Sequence, residues 1–291
     1  MSRRLDTLND FPYSADQQRK EAALRAGKLS IQGIQPKLST RLNIKSAVFE
    51  ITDRGGRYVI KPQHDIFPEL PENEDLSMRL AETVNISVPF HGLIYCKDGT
   101  LSYFIKRFDR TGKSGKLATE DFAQIAGKDR ETKYDSSMER LIPILNICTF
   151  PALERVRLFR RCIFNFLIGN EDMHLKNFSL ITKDNKIELS PAYDFLSTTV
   201  AFLLLGKSEN EIEEVALPLK GKKRNLTRSA WIDYFGTQRL ELNRKVIIEE
   251  LSRLTNAFDR WTDLIQKSFM SDTAKDLYLA LLSNRRIVLE L

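Results

Sequence analysis

GNEDMHLKN, residues 169–177, decides the reading of this chain. Asp172 is followed, after four residues, by Asn177. In a protein-kinase catalytic loop of that spacing the Asp takes the proton of the acceptor hydroxyl and the Asn holds a Mg²⁺. The pair alone is common by chance. Two other stretches give it weight. PAYDFLS, residues 191–197, brings a second acidic site, Asp194, and RYVIKPQ, residues 57–63, carries Lys61 at the end of a strand-like run. Lysine, catalytic loop and metal Asp stand in kinase order.

Upstream of the loop, PALERVRLFRRCIFNFLIG predicts a helix that starts at Pro151 and ends at Gly169. It is apolar on most sides, so it should be buried and should present the loop on a rigid support. Asp172 is the candidate base, and Lys176 a candidate to neutralise the transferring phosphoryl group. His174 either orients the loop or is a buried histidine that holds the turn, and both readings can hold together. Asp194 stands where Asp-Phe-Gly would, here as Asp-Phe-Leu; alone it reads as a turn cap after Pro191, with Asn177 and Asp172 as a metal ligand. Lys61 reads as a solvated strand end or as the lysine that holds ATP phosphates. Glu72 and Glu74 are its candidate acidic partners, with Glu74 the better placed.

The sequence divides near residue 106. Before it come a helix at about 14–26 and strand-like runs in LSTRLNI, SAVFEIT and RYVIKP. A helix at about 72–85 and strands at about 91–95 and 100–106 follow. Beyond it, EDFAQIAG, SMERLIPILNI, the helix ending at Gly169 and most of 228–291 carry helical periodicity. The expected fold class is α+β, a two-lobed protein-kinase-like fold. A β-rich N-lobe with the nucleotide loop would span 1–105, and a helical C-lobe with the catalytic loop and metal site 106–291. Phe202 to Leu205 read as core or large-lobe packing.

Composition sets limits. The 291 residues are 42% hydrophobic and 29% charged, as in a soluble globular protein. No apolar run approaches a membrane span, and the first residues lack the apolar core of a signal peptide. Cys96, Cys148 and Cys162 are scattered and read as reduced packing residues of a cytoplasmic protein. The histidines, at 64, 91 and 174, make no zinc cluster. A net charge of +6 and a pI near 9.1 permit an acidic partner without demanding one. The basic run LKGKKRNLTR, with Lys220, Lys222, Lys223, Arg224 and Arg228, is a solvated loop or a DNA contact within a larger complex.

The phosphate loop departs from the usual kinase pattern. Gly-x-Gly-x-x-Gly is absent, and SIQGIQPKLS offers only Gly33; no Arg stands directly before Asp172 and no Ala-Pro-Glu follows. An ordinary eukaryotic-type protein kinase is therefore disfavoured. SIQGIQPKLS, YVIKP, ENE, FIKRFDR, EDFAQ, GNEDMHLKNFSL and PAYDFLS, in this order across about 28–230, resemble the successive motifs of HipA-type bacterial toxin kinases.

The resemblance implies an ATP- and Mg²⁺-dependent serine/threonine kinase that phosphorylates an aminoacyl-tRNA synthetase and is restrained by a DNA-binding HipB-type antitoxin. It implies Asp172 as catalytic Asp, Asn177 and Asp194 as metal ligands, and Lys61 as the ATP-phosphate lysine. Gln32, Gly33, Ile34, Gln35 and Lys37 would form the nucleotide loop, and Lys106, Arg107 and Phe108 the hinge. His174, Asn177, Tyr193 and Asp194 would complete the nucleotide contacts. Ser30 matches the loop serine that this family autophosphorylates. With 29 residues ahead of Ser30, the chain resembles the short HipT-type toxin, whose missing N-terminal subdomain is a separate small protein, HipS. A small-molecule phosphotransferase and a catalytically silent regulatory subunit of a DNA-binding complex are the alternatives.

Overall fold

The computed structural model describes residues 7–25, 35–112, 115–129 and 131–291. Ser30, Gln32, Gly33 and Ile34 lie outside them. The chain forms two compact units, Met1–Asp75 with Pro89–Lys116, and Leu76–Val88 with Leu117–Leu291.

The first unit is built on an antiparallel sheet. Helix α1 (Ala15–Arg25) precedes β1 (Leu38–Asn43), β2 (Val48–Ile51) and β3 (Tyr58–Lys61); helix α2 (Leu70–Thr83), which belongs to this unit only up to Asp75, leads to β4 (His91–Tyr95) and β5 (Leu101–Lys106). The sheet order is β2-β1-β3-β5-β4. β-branched and aromatic residues alternate along these strands, so one face carries the apolar set. Phe11, Leu38, Phe49, Ile60, Ile94 and Phe104 form its core. The register sets Lys61 opposite Tyr103 and Lys106 opposite Tyr58. A short hairpin of β6 (Arg110–Thr111) and β7 (Gly115–Lys116) completes the unit.

The second unit is mainly helical. β8 (Thr119–Asp121) runs into the short α3 (Phe122–Ile125), capped by an Asp121/Gln124 capping box. Then come α4 (Pro151–Ile168), the hairpin β9 (Ser179–Lys183) and β10 (Lys186–Leu189), and α5 (Thr198–Leu204). A π-helical segment, Ala230–Arg239, leads to α6 (Arg244–Thr255), α7 (Phe258–Gln266) and α8 (Asp272–Leu289). The small sheet has the order β10-β9-β8.

α4 is the spine. Leu158, Phe159, Cys162, Ile163, Phe164, Phe166, Leu167 and Ile168 are buried along it. Phe164 packs edge-on to Trp261, with ring centroids 5.6 Å apart, and Phe166 lies 5.2 Å from Trp231. α4 ends in a Schellman turn: the Gly169 N–H donates to the Phe166 carbonyl, and the Asn170 N–H to the Asn165 carbonyl. Gly169 has φ +67°, and a Cβ there would lie 2.6 Å from Thr199 Oγ1 and 2.8 Å from Leu281. Both strain and crowding oppose any side chain. Gly169→Ala is expected to cost about 1–3 kcal/mol, read as a lower urea midpoint.

Two helical expectations give way to tighter structure. SMERLIPILNI forms two 3₁₀ turns, Met138–Leu141 and Pro143–Ile147, because Pro143 removes an N–H and its ring collides with a helical predecessor's carbonyl. EDFAQIAG keeps one helical turn, closed at Gly127 with φ +65°. Phe202 to Leu205 are less enclosed than a core segment: Val200 and Ala201 are buried, Phe202 is half-buried under Lys207, and Leu205 is exposed.

All three thiols are free and buried. Burial pushes the Cys162 thiol up to about 12, so almost no thiolate forms near neutral pH. Iodoacetamide at pH 8 is expected to leave Cys162 unmodified in folded protein and to alkylate it fully in urea, read by peptide mass. No described helix is long and apolar enough to cross a membrane.

Candidate active site

In the second unit, the Schellman turn releases the chain at Asn170, and the next residues wrap into the 3₁₀ turn Leu175–Asn177. Backbone bonds fix the loop. The Asp172 carbonyl accepts the His174 N–H at 2.8 Å and Asn177 Nδ2 at 2.8 Å. A carbonyl can only accept, so the amide end of Asn177 must face it, and Oδ1 is its remaining oxygen. The Asp172 carboxylate is half exposed (52%) and accepts the Tyr134 hydroxyl.

His174 is buried, and its Nε2 lies 2.7 Å from Lys133 Nζ. An ammonium has only donors, so Nε2 accepts and the ring proton sits on Nδ1. Burial, reinforced by the Lys133 cation, outweighs the pull of the Asp172 and Asp194 carboxylates and pushes His174 down to about 4. The ring is therefore neutral at physiological pH and serves as a fixed acceptor. Its Nδ1 is buried with no hydrogen-bond partner among the described residues.

The loop carrying Asp194 is tied to the same scaffold. Buried Arg161, on α4, donates to the Ser190 carbonyl. Tyr193 donates its hydroxyl to the Lys176 carbonyl at 2.9 Å and is also bonded to Ser179. Burial raises the Tyr193 phenol well above its ordinary range, so it stays a donor. Asp194 adopts φ +57°, a left-handed conformation that Asp tolerates better than most residues. Its carbonyl accepts Asn170 Nδ2 at 3.2 Å. The second unit thus brings Asp172, His174, Lys176, Asn177, Tyr193 and Asp194 into one bonded set.

In the first unit, Lys61 Nζ lies 2.6 Å from Glu74 Oε1, and both side chains are almost fully buried. Lys61 also approaches the Tyr103 ring at 5.7 Å. Glu72 instead takes the Gln63 amide. Lys106 is exposed at the end of β5, with its N–H on the Phe90 carbonyl. Arg107 forks onto Asp109 at 3.0 and 2.8 Å, and Phe108 is half-buried. Gln35 and Lys37 are half-buried ahead of β1.

Among the described residues no three His, Cys, Asp or Glu side chains group as a metal site. The donors nonetheless suit Mg²⁺. The Asn177 amide oxygen and the Asp194 carboxylate are hard oxygen ligands, and Mg²⁺ typically takes only one or two carboxylates beside water and phosphate oxygens.

The basic run is largely engaged internally. Lys223 pairs with Glu213, Arg224 donates to the Asn210 and Glu211 carbonyls, and Arg228 donates to the Leu289 carbonyl. Lys220 lies over the Tyr234 ring, and Lys222 is exposed.

Sequence reasoning missed Lys133, Tyr134, Asn165 and Asn170. The first two lie about forty residues upstream in a segment without a motif. The two asparagines sit in or beside an apolar helix, where an unexplained buried polar residue was the available signal. Any group that sought a hydrogen bond to the Asp172 carboxylate would compete for it with the Tyr134 hydroxyl.

These elements define an α+β, protein-kinase-like fold. The chain matches the HipA-like C-terminal domain family over residues 29–262, and it belongs to that family. It is 29% identical over 289 residues to the "Putative kinase" of Haemophilus influenzae, covering 90% of this chain and 82% of the relative. Identity to "Putative kinase Y4dM" of Sinorhizobium fredii is 37% over 206 residues, covering 65% and 50%. Identity to the serine/threonine-protein kinase toxin HipA of Shewanella oneidensis is 26% over 190 residues, covering 58% and 43%. The chain thus spans half or less of the last two relatives. Among solved structures, a chain of the Shewanella oneidensis complex of HipA, HipB and operator DNA superposes with a TM-score of 0.73 at 20% identity, covering 100% of this chain and 74% of that one. The Helicobacter pylori proinflammatory kinase CtkA gives 0.60 at 17% identity, covering 90% and 92%. At these identities the likeness is one of fold.

Proposed function

We propose that the protein is an ATP- and Mg²⁺-dependent serine/threonine protein kinase and the toxin of a bacterial toxin–antitoxin system. The observation that carries the reading is the hydrogen-bonded joining of Asp172, Asn177 and Asp194 in two loops tied to the end of one buried helix. The buried Lys61–Glu74 pair supports it, as does the naming of relatives as kinases and, in one case, as a kinase toxin.

Asp172 takes the acceptor hydroxyl's proton as the new P–O bond forms and the bond from the γ-phosphorus to the ADP oxygen breaks. Asn177 and Asp194 would hold Mg²⁺, which would neutralise phosphate charge when bound. Lys61 binds the α/β-phosphates and is oriented by Glu74. Lys176 neutralises the transferring group. The Nδ1–H of His174, a donor in want of an acceptor, suits a phosphate oxygen. Gln32, Gly33, Ile34, Gln35 and Lys37 contact the phosphates, Tyr193 completes the nucleotide contacts, and Lys106, Arg107 and Phe108 border the adenine.

By the family resemblance, the target is an aminoacyl-tRNA synthetase in the cytoplasm, and Ser30 is autophosphorylated with loss of activity. The toxin is then of the HipT type, with a HipS-like small protein and a HipB-like antitoxin as partners. The basic run is a solvated loop whose only route to DNA would be inside an antitoxin complex, and its internal contacts leave Lys222 more available than Lys220 or Lys223. The test is intact mass after incubation with Mg-ATP. A gain of about 80 Da at Ser30, absent from Asp172→Ala, is expected. Unphosphorylated protein that binds ATP, gains no mass and phosphorylates only small alcohols would overturn the reading.

A further inference from the structure

We infer that Asn170 is a positioning residue that fixes the spacing between the base and a metal ligand, an inference that rests on the kinase reading above. Its side chain is buried, 2% exposed, and both ends of the amide are used. Nδ2 donates to Asn165 Oδ1 at 2.9 Å and to the Asp194 carbonyl at 3.2 Å, while Oδ1 accepts the Asp172 N–H at 3.2 Å. The backbone partners force this orientation. Flipped, the amide would set its oxygen against the Asp194 carbonyl and its N–H₂ against the Asp172 N–H.

Helix capping does not account for the side chain. The Schellman turn that ends α4 is closed by backbone groups alone, namely the N–H of Gly169 and the N–H of Asn170. The Asn170 side chain is left to serve the loops, and it reaches the backbone of both. Asp194 sits at φ +57°, where a residue with a Cβ depends on its surroundings to stay. A bond on its carbonyl orients the following peptide plane and helps fix where the carboxylate leaves the chain. The bond to the Asp172 N–H does the same on the base side. Asn165 Nδ2 donates to the Arg161 carbonyl at 2.9 Å, so the chain of amides is anchored in the interior of α4. One buried amide thereby transmits the helix position to both functional carboxylates. Outer-shell partners of this kind tune metal sites without touching the ion.

The experiment compares wild type, Asn170→Ala, Asn170→Asp and Ile163→Ala. Ile163 is fully buried in α4 and its apolar side chain can make no hydrogen bond to either loop, so it supplies a stability control. Three quantities are measured: Tm, the kcat and KM for ATP, and Mn²⁺ affinity by EPR with a non-hydrolysable ATP analogue. Asn170→Ala is expected to lower kcat and to weaken Mn²⁺ binding, each by about 10–100-fold. Asn170→Asp keeps the acceptor for Asp172 but loses both donors, so it should weaken Mn²⁺ binding equally. Ile163→Ala should lower Tm and leave kcat and Mn²⁺ affinity unchanged.

A folded Asn170→Ala with wild-type kcat and Mn²⁺ affinity overturns the inference, as do losses no larger than those of Ile163→Ala. If Asn170→Ala does not fold, the isosteric Asn170→Asp decides. If neither folds, the residue is structural and the inference fails. Wild-type protein that neither transfers phosphate nor binds Mn²⁺ with nucleotide would instead overturn the kinase reading.

Discussion

Asp172→Asn is expected to lower the rate of phosphotransfer by about 10²–10⁴-fold, the usual contribution of a positioned general base, with Tm nearly unchanged. The two outcomes separate because the residue does two jobs with different atoms. Its carbonyl accepts His174 and Asn177, and its N–H donates to Asn170, so the loop is held by backbone groups that any residue supplies. Its carboxylate, half exposed, has Tyr134 as its hydrogen-bonded partner. An amide of the same shape keeps the loop and loses the proton acceptor. Initial rates on a protein acceptor and a thermal melt check both halves. A rate within a few-fold of wild type would remove Asp172 from the chemistry.

Lys61→Met is expected to destabilise the protein by about 3–5 kcal/mol and to abolish measurable transfer. Nζ and Glu74 Oε1 lie 2.6 Å apart, with side chains 5% and 1% exposed. Removing one member of such a buried pair leaves the other's desolvation uncompensated by its partner. The double variant Lys61→Met/Glu74→Leu separates stability from function. Apolar groups of similar volume often restore stability where a buried pair stood. Urea midpoints should recover while transfer stays absent. Recovery of transfer as well would show that Lys61 serves only the fold.

The parts legible in the sequence were those with local causes. Strand alternation in LSTRLNI, SAVFEIT and RYVIKP announces β1 to β3. Pro151 and Gly169 bracket α4 through φ preferences that act on single residues, and the apolar pattern between them announces burial. Lys61 with Glu74 was legible because a kinase-like order narrowed the choice of acid. The rest depended on distance in sequence. Tyr134 meets Asp172 across 38 positions, and Asn170 meets the Asp194 carbonyl across 24. Neither bond leaves a periodic trace. SMERLIPILNI misled because its helical spacing is real, but Pro143 prevents the backbone from using it. The basic run near Lys223 was ambiguous because charge alone cannot tell a solvated surface from the carbonyls and the carboxylate it engages here.

Arg161 and Asn165 stand four positions apart on α4, and through Ser190 and Asn170 they support both loops from one side of that helix. A single residue inserted or deleted between Pro151 and Arg161 would turn both by about 100° away from the partners that orient α4 in the core. The length of this helix is therefore a ruler, and the tolerance of the chain to insertions should be sharply uneven. The exposed tip of the β9–β10 hairpin, Asp184–Asn185, can lengthen at little cost, whereas α4 cannot change by one residue without releasing both loops.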